Sequence, residues 1–239
     1  MRGDTGFPVR LRFSKRGKVR FISHRDVARA FDRAFRIEAL PLAFTAGFVP
    51  RPKVSFGLAL SVCHESEAEY LDVELDQAVD LDPWPVTLSA ALPEGIEVMG
   101  TCALAERAPA LQESVTAVEY RVGLAGADVA EIGALIERAL ASPTLEAIRT
   151  KKGREVVEDV RPVLRAMTVV STTADVTAVG LEIATQPRSA RPGEIIAAVG
   201  EHLTTERVLR THQWIERGGA RLEPLDADAR MRVPEARAS

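Results

Sequence analysis

Four arginines near the start of the chain have the spacing and the side-chain chemistry to bind phosphate. They are Arg25, Arg29, Arg33 and Arg36. At 100° per residue, all four fall within about 80° of one another on a helix. A guanidinium group can donate two parallel hydrogen bonds to one phosphate. The spacing therefore predicts a basic helix face for an anionic partner, although any solvated helix face is normally charged as well.

A proline-rich segment follows the predicted helix and carries two more cations, Arg51 and Lys53. Pro50 and Pro52 restrict its backbone, so both cations would lose little conformational entropy on contacting a ligand. Phe48, in the same segment, could stack on a base. The sequence favours a place in the core for this aromatic ring.

A third basic segment, in the second half of the chain, holds Lys151 and Lys152 next to Gly153. This pattern is typical of a hairpin turn. The two lysines could extend a phosphate-binding surface across both halves. Asp159 and Arg161 follow two positions apart, which favours a structural pair between them.

His24 stands at the predicted start of the helix, where a histidine could act as a general acid or base or help to bind phosphate. The capping-box pattern of Ser23 and Asp26 favours an ordinary helix start instead. His24 is thus a minor catalytic candidate, and no other is predicted. Because the sequence has no paired-histidine spacing, no P-loop and no dinucleotide-binding glycine pattern, no metal site and no cofactor are predicted.

Charge is distributed unevenly along the chain. The 239 residues have a formal net charge of −3, yet residues 1–60 carry 13 Lys and Arg against 4 Asp and Glu. An excess of acidic residues in the remainder follows from these counts. The distribution favours one basic surface on a body that elsewhere repels nucleic acid.

Cysteine content and hydropathy restrict the class of protein. Cys63 and Cys102 are too few for a disulfide framework, a four-cysteine zinc site or a cysteine-ligated iron–sulfur cluster. The N-terminus lacks the apolar run of a signal peptide, and no segment approaches the ~20 apolar residues that span a bilayer. A cytoplasmic protein without a membrane segment is therefore expected.

The sequence predicts that an α+β fold positions the candidate residues. Segments whose apolar residues recur at helical spacing alternate along the chain with segments whose apolar residues recur at every second position. Apolar residues at helical spacing predict the helix that carries the arginines. They are Val27, Phe31, Ala34 and Phe35. Flanking segments alternate with period 2, as half-buried strands do. The order of these patterns is strand, helix, strand, strand, helix, strand, and it occurs twice.

The sequence therefore predicts two tandem ferredoxin-like (βαββαβ) units with antiparallel sheets. The units are placed at residues 8–106 and 115–217. Residues 224–239 are polar and rich in Ala, Arg and Asp, which predicts a disordered tail. A single larger α+β domain is the alternative.

Several short motifs resemble the radical-SAM-linked family of unknown function. They are FISHRD at 21–26, PRPKVSF at 50–56, EYLD at 69–72 and DVRP at 159–162. The chain departs from the family pattern at Val49, Arg51 and Cys63, where Asn, His and Gly are usual. The resemblance implies a radical SAM partner enzyme, encoded beside this domain or fused to it. It implies no catalytic residue.

Three hypotheses on function follow. The favoured one is a non-catalytic module that binds tRNA or rRNA for the radical SAM enzyme, with phosphates held by the basic residues named above. The second is a metal-independent ribonuclease that uses His24. The third is a module for protein–protein docking alone, in which the basic helix face meets an acidic surface of the partner.

Overall fold

The computed structural model describes residues 6–105, 108–151, 153–173 and 175–229. The strands are β1 (Phe7–Lys15), β2 (Val54–Phe56), β3 (Glu65–Leu75), β4 (Ile96–Ala103), β5 (Ala117–Ala125), β6 (Glu146–Lys151), β7 (Arg154–Asp159), β8 (Leu164–Thr172), β9 (Thr177–Ala184), β10 (Thr204–Arg217) and β11 (Ala220–Leu222). The helices are α1 (His24–Ile37), α2 (Trp84–Ala91), α3 (Leu111–Ser114), α4 (Val129–Ala141), α5 (Pro192–Val199) and α6 (Pro224–Ala227). The protein is thus of the mixed α+β class.

One nine-stranded, mostly antiparallel sheet runs through both halves of the chain. Its main path has the order β4-β1-β3-β10-β5-β9-β8, with β2 beside β3 and β11 beside β10. Strands β3 and β10 lie parallel, with Ser66 opposite Arg210. This parallel pair joins the strands of the first half to those of the second.

The two halves repeat one arrangement of strands. The order is β4-β1-β3-β2 in the first half and β10-β5-β9-β8 in the second. In each half, the last strand lies beside the first, and one helix follows the first strand while another precedes the last. Strands β6 and β7 form a separate two-stranded sheet, which is the hairpin that Gly153 predicts.

Helix α1 forms because its first residues cap it and one of its faces is apolar. The Ser23 hydroxyl accepts a hydrogen bond from the Asp26 backbone N–H (3.3 Å), and the Asp26 carboxylate accepts one from the Ser23 N–H (3.2 Å). The four apolar residues predicted from the spacing, Val27 to Phe35, are buried. Burial of one such large side chain stabilises the fold by about 1.5–3 kcal/mol.

The apolar core consists of two main clusters, one in each half of the chain. In the first, Leu11 and Phe13 of β1 pack with Phe31 of α1 and with residues of α2. In the second, Val122 of β5 packs with Ile132 of α4 and with residues of α5. The helices of both clusters therefore pack on strands of the same sheet.

Two segments interrupt the strands of the first half. The chain after β1 turns at residues 17–21 in a short 3-10 helix, although Val19 and Phe21 continue the period-2 alternation of the sequence. Residues 42–60 contribute only β2 and two isolated bridges, Leu42 to Leu75 and Phe44 to Pro52. Proline lacks the N–H that a ladder requires, so Pro50 and Pro52 limit strand pairing there.

The predicted disordered tail is wrong for its first six residues. Residues 224–227 form α6, and the Asp228 carboxylate bonds the buried Arg10 (3.0 Å) and also Arg217 (3.0 Å). Leu225 packs against Tyr70 and Leu111. An ion pair with a strand far away in sequence therefore fixes this segment, and local composition does not reveal such a contact. Residues 230–239 lie outside the described residues.

Candidate functional site

The four arginines of α1 lie on its exposed face. Arg25, Arg29, Arg33 and Arg36 are all exposed, whereas the opposite face is buried. Exposure of the side chain reaches 71% for Arg29 and 74% for Arg36. The helix therefore presents its guanidinium groups to solvent, where a large anion can reach them.

Carboxylates on the same helix neutralise part of this charge. Arg29 pairs with Asp26 (3.3 Å), and Arg36 pairs with Asp32. Within the described residues, Arg25 and Arg33 have no ion-pair partner. Because exposed pairs of this kind contribute only about 0–1 kcal/mol, an incoming phosphate can displace the carboxylates. The helix face thus keeps two unpaired guanidinium groups and two that are weakly held.

The loop after α1 carries an exposed cation and exposed apolar side chains. Arg51 is exposed, whereas the Lys53 ammonium bonds the Glu74 carboxylate at 2.9 Å. Phe48 is fully exposed, so the prediction that it lies in the core is wrong. Gly47 has a φ of +127°, which glycine adopts without strain. This backbone turn and the two prolines direct Phe48 away from the core.

The structure only partly describes the basic hairpin of the second half. Lys151 ends β6, and Lys152 lies outside the described residues. The neighbouring Arg149 faces inward and contacts the carboxylates of Glu158 (2.8 Å) and Glu194 (3.0 Å). The hairpin is thereby held against the start of α5. Phosphate binding by the two lysines stays a prediction.

Asp159 and Arg161 do not form the simple pair that their spacing favours. The Asp159 carboxylate accepts hydrogen bonds from the backbone N–H groups of Leu145 (2.8 Å) and Arg161 (2.9 Å), which lower its pKa. The Arg161 guanidinium donates to the carbonyls of Leu140 (2.8 Å), Ser142 and Leu164. Both side chains therefore fix the turn between α4 and the hairpin.

His24 lies at the edge of a cleft between the two halves. The cleft has a volume of about 540 Å³ and is bounded by the start of α1, the loop 58–64 and the start of α5. The His24 ring contacts the Phe56 ring edge-on, with centroids 5.0 Å apart. The side chains that line the cleft and can bind or titrate are His24, His64, Tyr120, Arg149, Arg191 and Arg210.

A buried ion pair forms the floor of the cleft. The Arg210 guanidinium donates to the Glu69 carboxylate (2.9 Å) and to the Tyr120 hydroxyl (3.2 Å). It also donates to the carbonyls of Leu58 (2.8 Å) and Ala59 (3.1 Å), so that it holds the loop above it. Burial opposes its charge, but Glu69 and Tyr120 outweigh that effect and the pKa of Arg210 is raised.

A second cation, Lys15, is buried beside this pair. Its ammonium group donates to the carbonyls of Arg20 and Ile22, each at 3.2 Å. Burial lowers its pKa, and the charge of Glu69 only partly offsets that effect. The Glu69 carboxylate thus bonds one buried cation, Arg210, and favours the charged form of a second, Lys15.

His64 stands among these cations. Burial lowers the pKa of its imidazole, and the charges of Arg210, Lys15 and Arg191 lower it further. The preceding residue, Cys63, has a φ of +71°, which side-chain-bearing residues rarely adopt. The cleft thus combines a strained loop with a cluster of positive charge.

Apart from His24, the charged residues in and beneath the cleft were not predicted from the sequence. Lys15, Glu69 and Arg210 lie on strands at positions where alternation predicts apolar side chains. A charge at such a position is the signal that could have revealed them, because a buried charge requires a partner. The sequence does not show which partner, since Glu69 and Arg210 are far apart in the chain.

The described residues hold no group of three or more His, Cys, Asp or Glu side chains placed to bind a metal ion. Among the same residues, no helix is both long enough and apolar enough to cross a membrane. The arrangement in the cleft is instead that of cationic donors around an open space, which can hold an anion.

Comparison with solved structures gives similar chains of low identity. A crystal structure of a Cbf5–Nop10–Gar1 complex is 12% identical (TM-score 0.49, 89% of this chain and 54% of that chain). An H/ACA RNP bound to a substrate RNA containing 2'-deoxyuridine is 9% identical (TM-score 0.47, 87% and 47%). An archaeal box H/ACA sRNP Nop10–Cbf5 complex is 10% identical (TM-score 0.46, 87% and 48%). The chain spans about half the length of these chains, and at such scores the similarity carries no argument on function.

No curated protein matches the sequence. Residues 9–192 match the family described as an uncharacterized protein conserved in bacteria, DUF2344. This range takes in β1 to the start of α5, and with them the basic helix and most of the cleft. Since the match covers well over half of the chain, the protein belongs to this family of uncharacterized bacterial proteins.

Proposed function

We propose that the protein is a non-catalytic module that binds RNA, either tRNA or rRNA, for a radical SAM partner enzyme that carries the chemistry. The observation that carries this proposal is the exposed arginine face of α1, on which Arg25 and Arg33 are unpaired within the described residues. Guanidinium groups spaced along one helix match the spaced phosphates of a nucleic-acid strand.

The repeated strand order supports the finer proposal of two tandem ferredoxin-like units, at residues 8–106 and 115–217. Each half places its last strand beside its first, with one helix after the first strand and one before the last. In this proposal the β6–β7 hairpin is an insertion in the second unit. The basic helix is then the first helix of the first unit.

The charge distribution supports binding through the first half. Residues 1–60 hold 13 of the 31 Lys and Arg but 4 of the 34 Asp and Glu. An RNA strand is therefore attracted to this part and repelled by the rest, which orients it on the α1 face. Arg51 and Lys53 contribute two further phosphate contacts in this proposal, and Lys151 and Lys152 are assigned secondary contacts.

Reversing the two unpaired charges tests RNA binding directly. For Arg25→Glu with Arg33→Glu, we expect about a tenfold or greater loss of affinity for tRNA at low salt. The slope of log affinity against log salt should become shallower by about 1 per lost phosphate contact. Fluorescence anisotropy with labelled tRNA, at 50 to 200 mM salt as a chosen range, measures both quantities.

A matched control carries the same change of net charge elsewhere. Arg121→Glu with Arg138→Glu alters two exposed arginines, on β5 and α4, away from the basic helix. This control should bind tRNA nearly as well as the wild type. Undetectable binding at low salt, or equal losses in both double variants, would contradict the proposal.

A second candidate function is metal-independent cleavage of RNA with His24. One observation favours it: His24 and His64 line the same cleft, and two imidazoles can act as acid and base. A non-catalytic module leaves the tRNA intact during prolonged incubation with a chelator. Cleavage that His24→Ala abolishes would establish the ribonuclease instead.

The partner enzyme is proposed from the sequence motifs, and the exposed apolar side chains of the loop after α1 support a protein contact. Phe44, Phe48 and Val49 are exposed beside Arg51. We expect the tagged protein to co-purify with a radical SAM enzyme and with RNA. Nuclease treatment is the control, because a partner retained without RNA indicates direct docking. Absence of such an enzyme from the purified material would remove this part of the proposal.

A further inference from the structure

The cleft between the halves has more positive than negative charge on its inner surface. Arg149, Arg191 and Arg210 line the cleft, and Arg210 pairs with the buried Glu69, whereas the buried Lys15 is not a lining residue but acts on His64 by its charge. Arg191, at the start of α5, is exposed and has no ion-pair partner within the described residues. Glu194 lies nearby, but its carboxylate already contacts Arg149 and the Arg191 backbone N–H. The cleft therefore has an unneutralised positive charge.

His64 lines the cleft, and the nearby positive charges lower the pKa of its imidazole. The charged groups that act on its imidazole come from three elements: Lys15 at the end of β1, Arg210 on β10, and Arg191 before α5. All three are cations. These three cations outnumber the one carboxylate, Glu69, that pairs with Arg210 and acts on Lys15, so the position of His64 is one where an anion is stabilised.

The loop that carries His64 is held in place by specific bonds. Arg210 binds the carbonyls of Leu58 and Ala59, and the Cys63 N–H donates to the Arg20 carbonyl at 2.9 Å. Cys63 keeps its left-handed backbone, a conformation that is unfavourable for a residue with a side chain and persists only where the surroundings impose it. The backbone of the loop is thus preorganised, and it fixes the position from which the His64 side chain extends.

We propose that this cleft binds a phosphate group, with His64 and Arg191 as direct contacts and Lys15 and Arg210 as fixed charges behind them. The volume of about 540 Å³ leaves room for a nucleoside attached to the phosphate. The phosphate can belong to an RNA strand or to a free phosphorylated small molecule. This site is separate from the exposed face of α1, so it does not depend on the proposed function.

Phosphate binding must change the titration of His64. In the free protein the pKa of His64 lies below the ordinary value of about 6.5, because the protonated form is disfavoured. A bound anion offsets the three cations and favours the protonated form, so the pKa rises. By linkage, the protonated imidazole in turn binds the anion more tightly. Sulfate is a suitable anion for this test because its own charge does not change with pH in this range. Its affinity should increase as the pH falls through the pKa of His64.

The experiment follows the His64 ring by NMR titration in the whole chain, with inorganic phosphate, AMP and a 5′-phosphorylated oligoribonucleotide as probes. We expect each probe to raise the pKa of His64 by at least about half a unit at saturation. His64→Gln and Arg191→Gln should each weaken phosphate binding about fivefold or more. The control, Arg138→Gln on the exposed face of α4, should bind as the wild type does.

The outcomes separate the two sources of phosphate and the two proposals. Tenfold tighter binding of the phosphorylated oligonucleotide than of AMP assigns the site to RNA, whereas equal or tighter binding of AMP assigns it to a small molecule. Arg25→Glu with Arg33→Glu should leave the effect of inorganic phosphate on the His64 titration unchanged, so loss of RNA binding on α1 and loss of this site are distinguishable. No change of the His64 titration with any probe, or equal binding by Arg191→Gln and the wild type, would overturn the proposal.

Discussion

Replacement of Arg210 by methionine is expected to lower the free energy of unfolding by about 3–5 kcal/mol. Arg210 is buried, and its guanidinium supplies the donors that satisfy Glu69 and the carbonyls of Leu58 and Ala59. Without it, Glu69 remains buried and lacks the guanidinium group with which it pairs. Urea unfolding followed by circular dichroism measures the loss.

A double variant separates the cost of an orphaned charge from the value of the pair. Arg210→Met with Glu69→Leu removes both charges, and a buried pair replaced by apolar side chains is often neutral in stability. We expect the double variant to recover most of the loss, to within about 2 kcal/mol of the wild type. If the double variant is less stable than Arg210→Met, the pair itself stabilises the fold and the orphaned charge is not the main cause.

Replacement of Arg10 by methionine is expected to cost about 3 kcal/mol and to release the C-terminal segment of the described chain. Arg10 has no exposed surface, and its guanidinium bonds Asp72 (2.7 Å), Asp228 (3.0 Å) and the Pro224 carbonyl (3.1 Å). Asp72 is partly exposed and can be hydrated, whereas the ion pairs of Asp228 within the described part of the chain are reduced to the one with Arg217. The segment that begins at Pro224 thus loses its main attachment.

Limited proteolysis with chymotrypsin detects this release, because the segment contains Leu225, an apolar residue that packs against Tyr70 and Leu111 in the folded chain. In Arg10→Met we expect cleavage near Leu225 at a protease concentration that leaves the wild type intact. Arg121→Met is the control, since Arg121 is an exposed arginine of β5. Protection of the segment in Arg10→Met would show that other contacts, such as the Arg12–Glu223 ion pair, suffice to hold it.

Local sequence signals predicted the elements that position the basic helix. The capping box of Ser23 and Asp26 and the apolar spacing from Val27 to Phe35 are properties of adjacent residues, and both are present in the structure. Gly153 likewise predicted the turn between β6 and β7. Such features depend on contacts within a few residues, which is why sequence alone reveals them.

The cleft and the C-terminal attachment depend on contacts between distant residues. Glu69 meets Arg210 and Arg10 meets Asp228 only after the strands have paired. The same limit explains Phe48, whose ring is exposed because the loop turns outward at Gly47. Hydrophobicity predicts that a side chain can be buried, but the backbone path decides whether it is.

The parallel contact of β3 with β10 has a consequence for synthesis of the chain. The side-chain amide of Gln213 donates to the carbonyl of Ala68 at 2.6 Å, so a residue of the last long strand completes the bonding of an early one. During translation, the first half emerges with this stretch of backbone uncovered, and its partner leaves the ribosome about 145 residues later. The nascent protein therefore exposes unpaired backbone of β3 until β10 has been synthesised, and chaperones bind such transiently exposed surfaces.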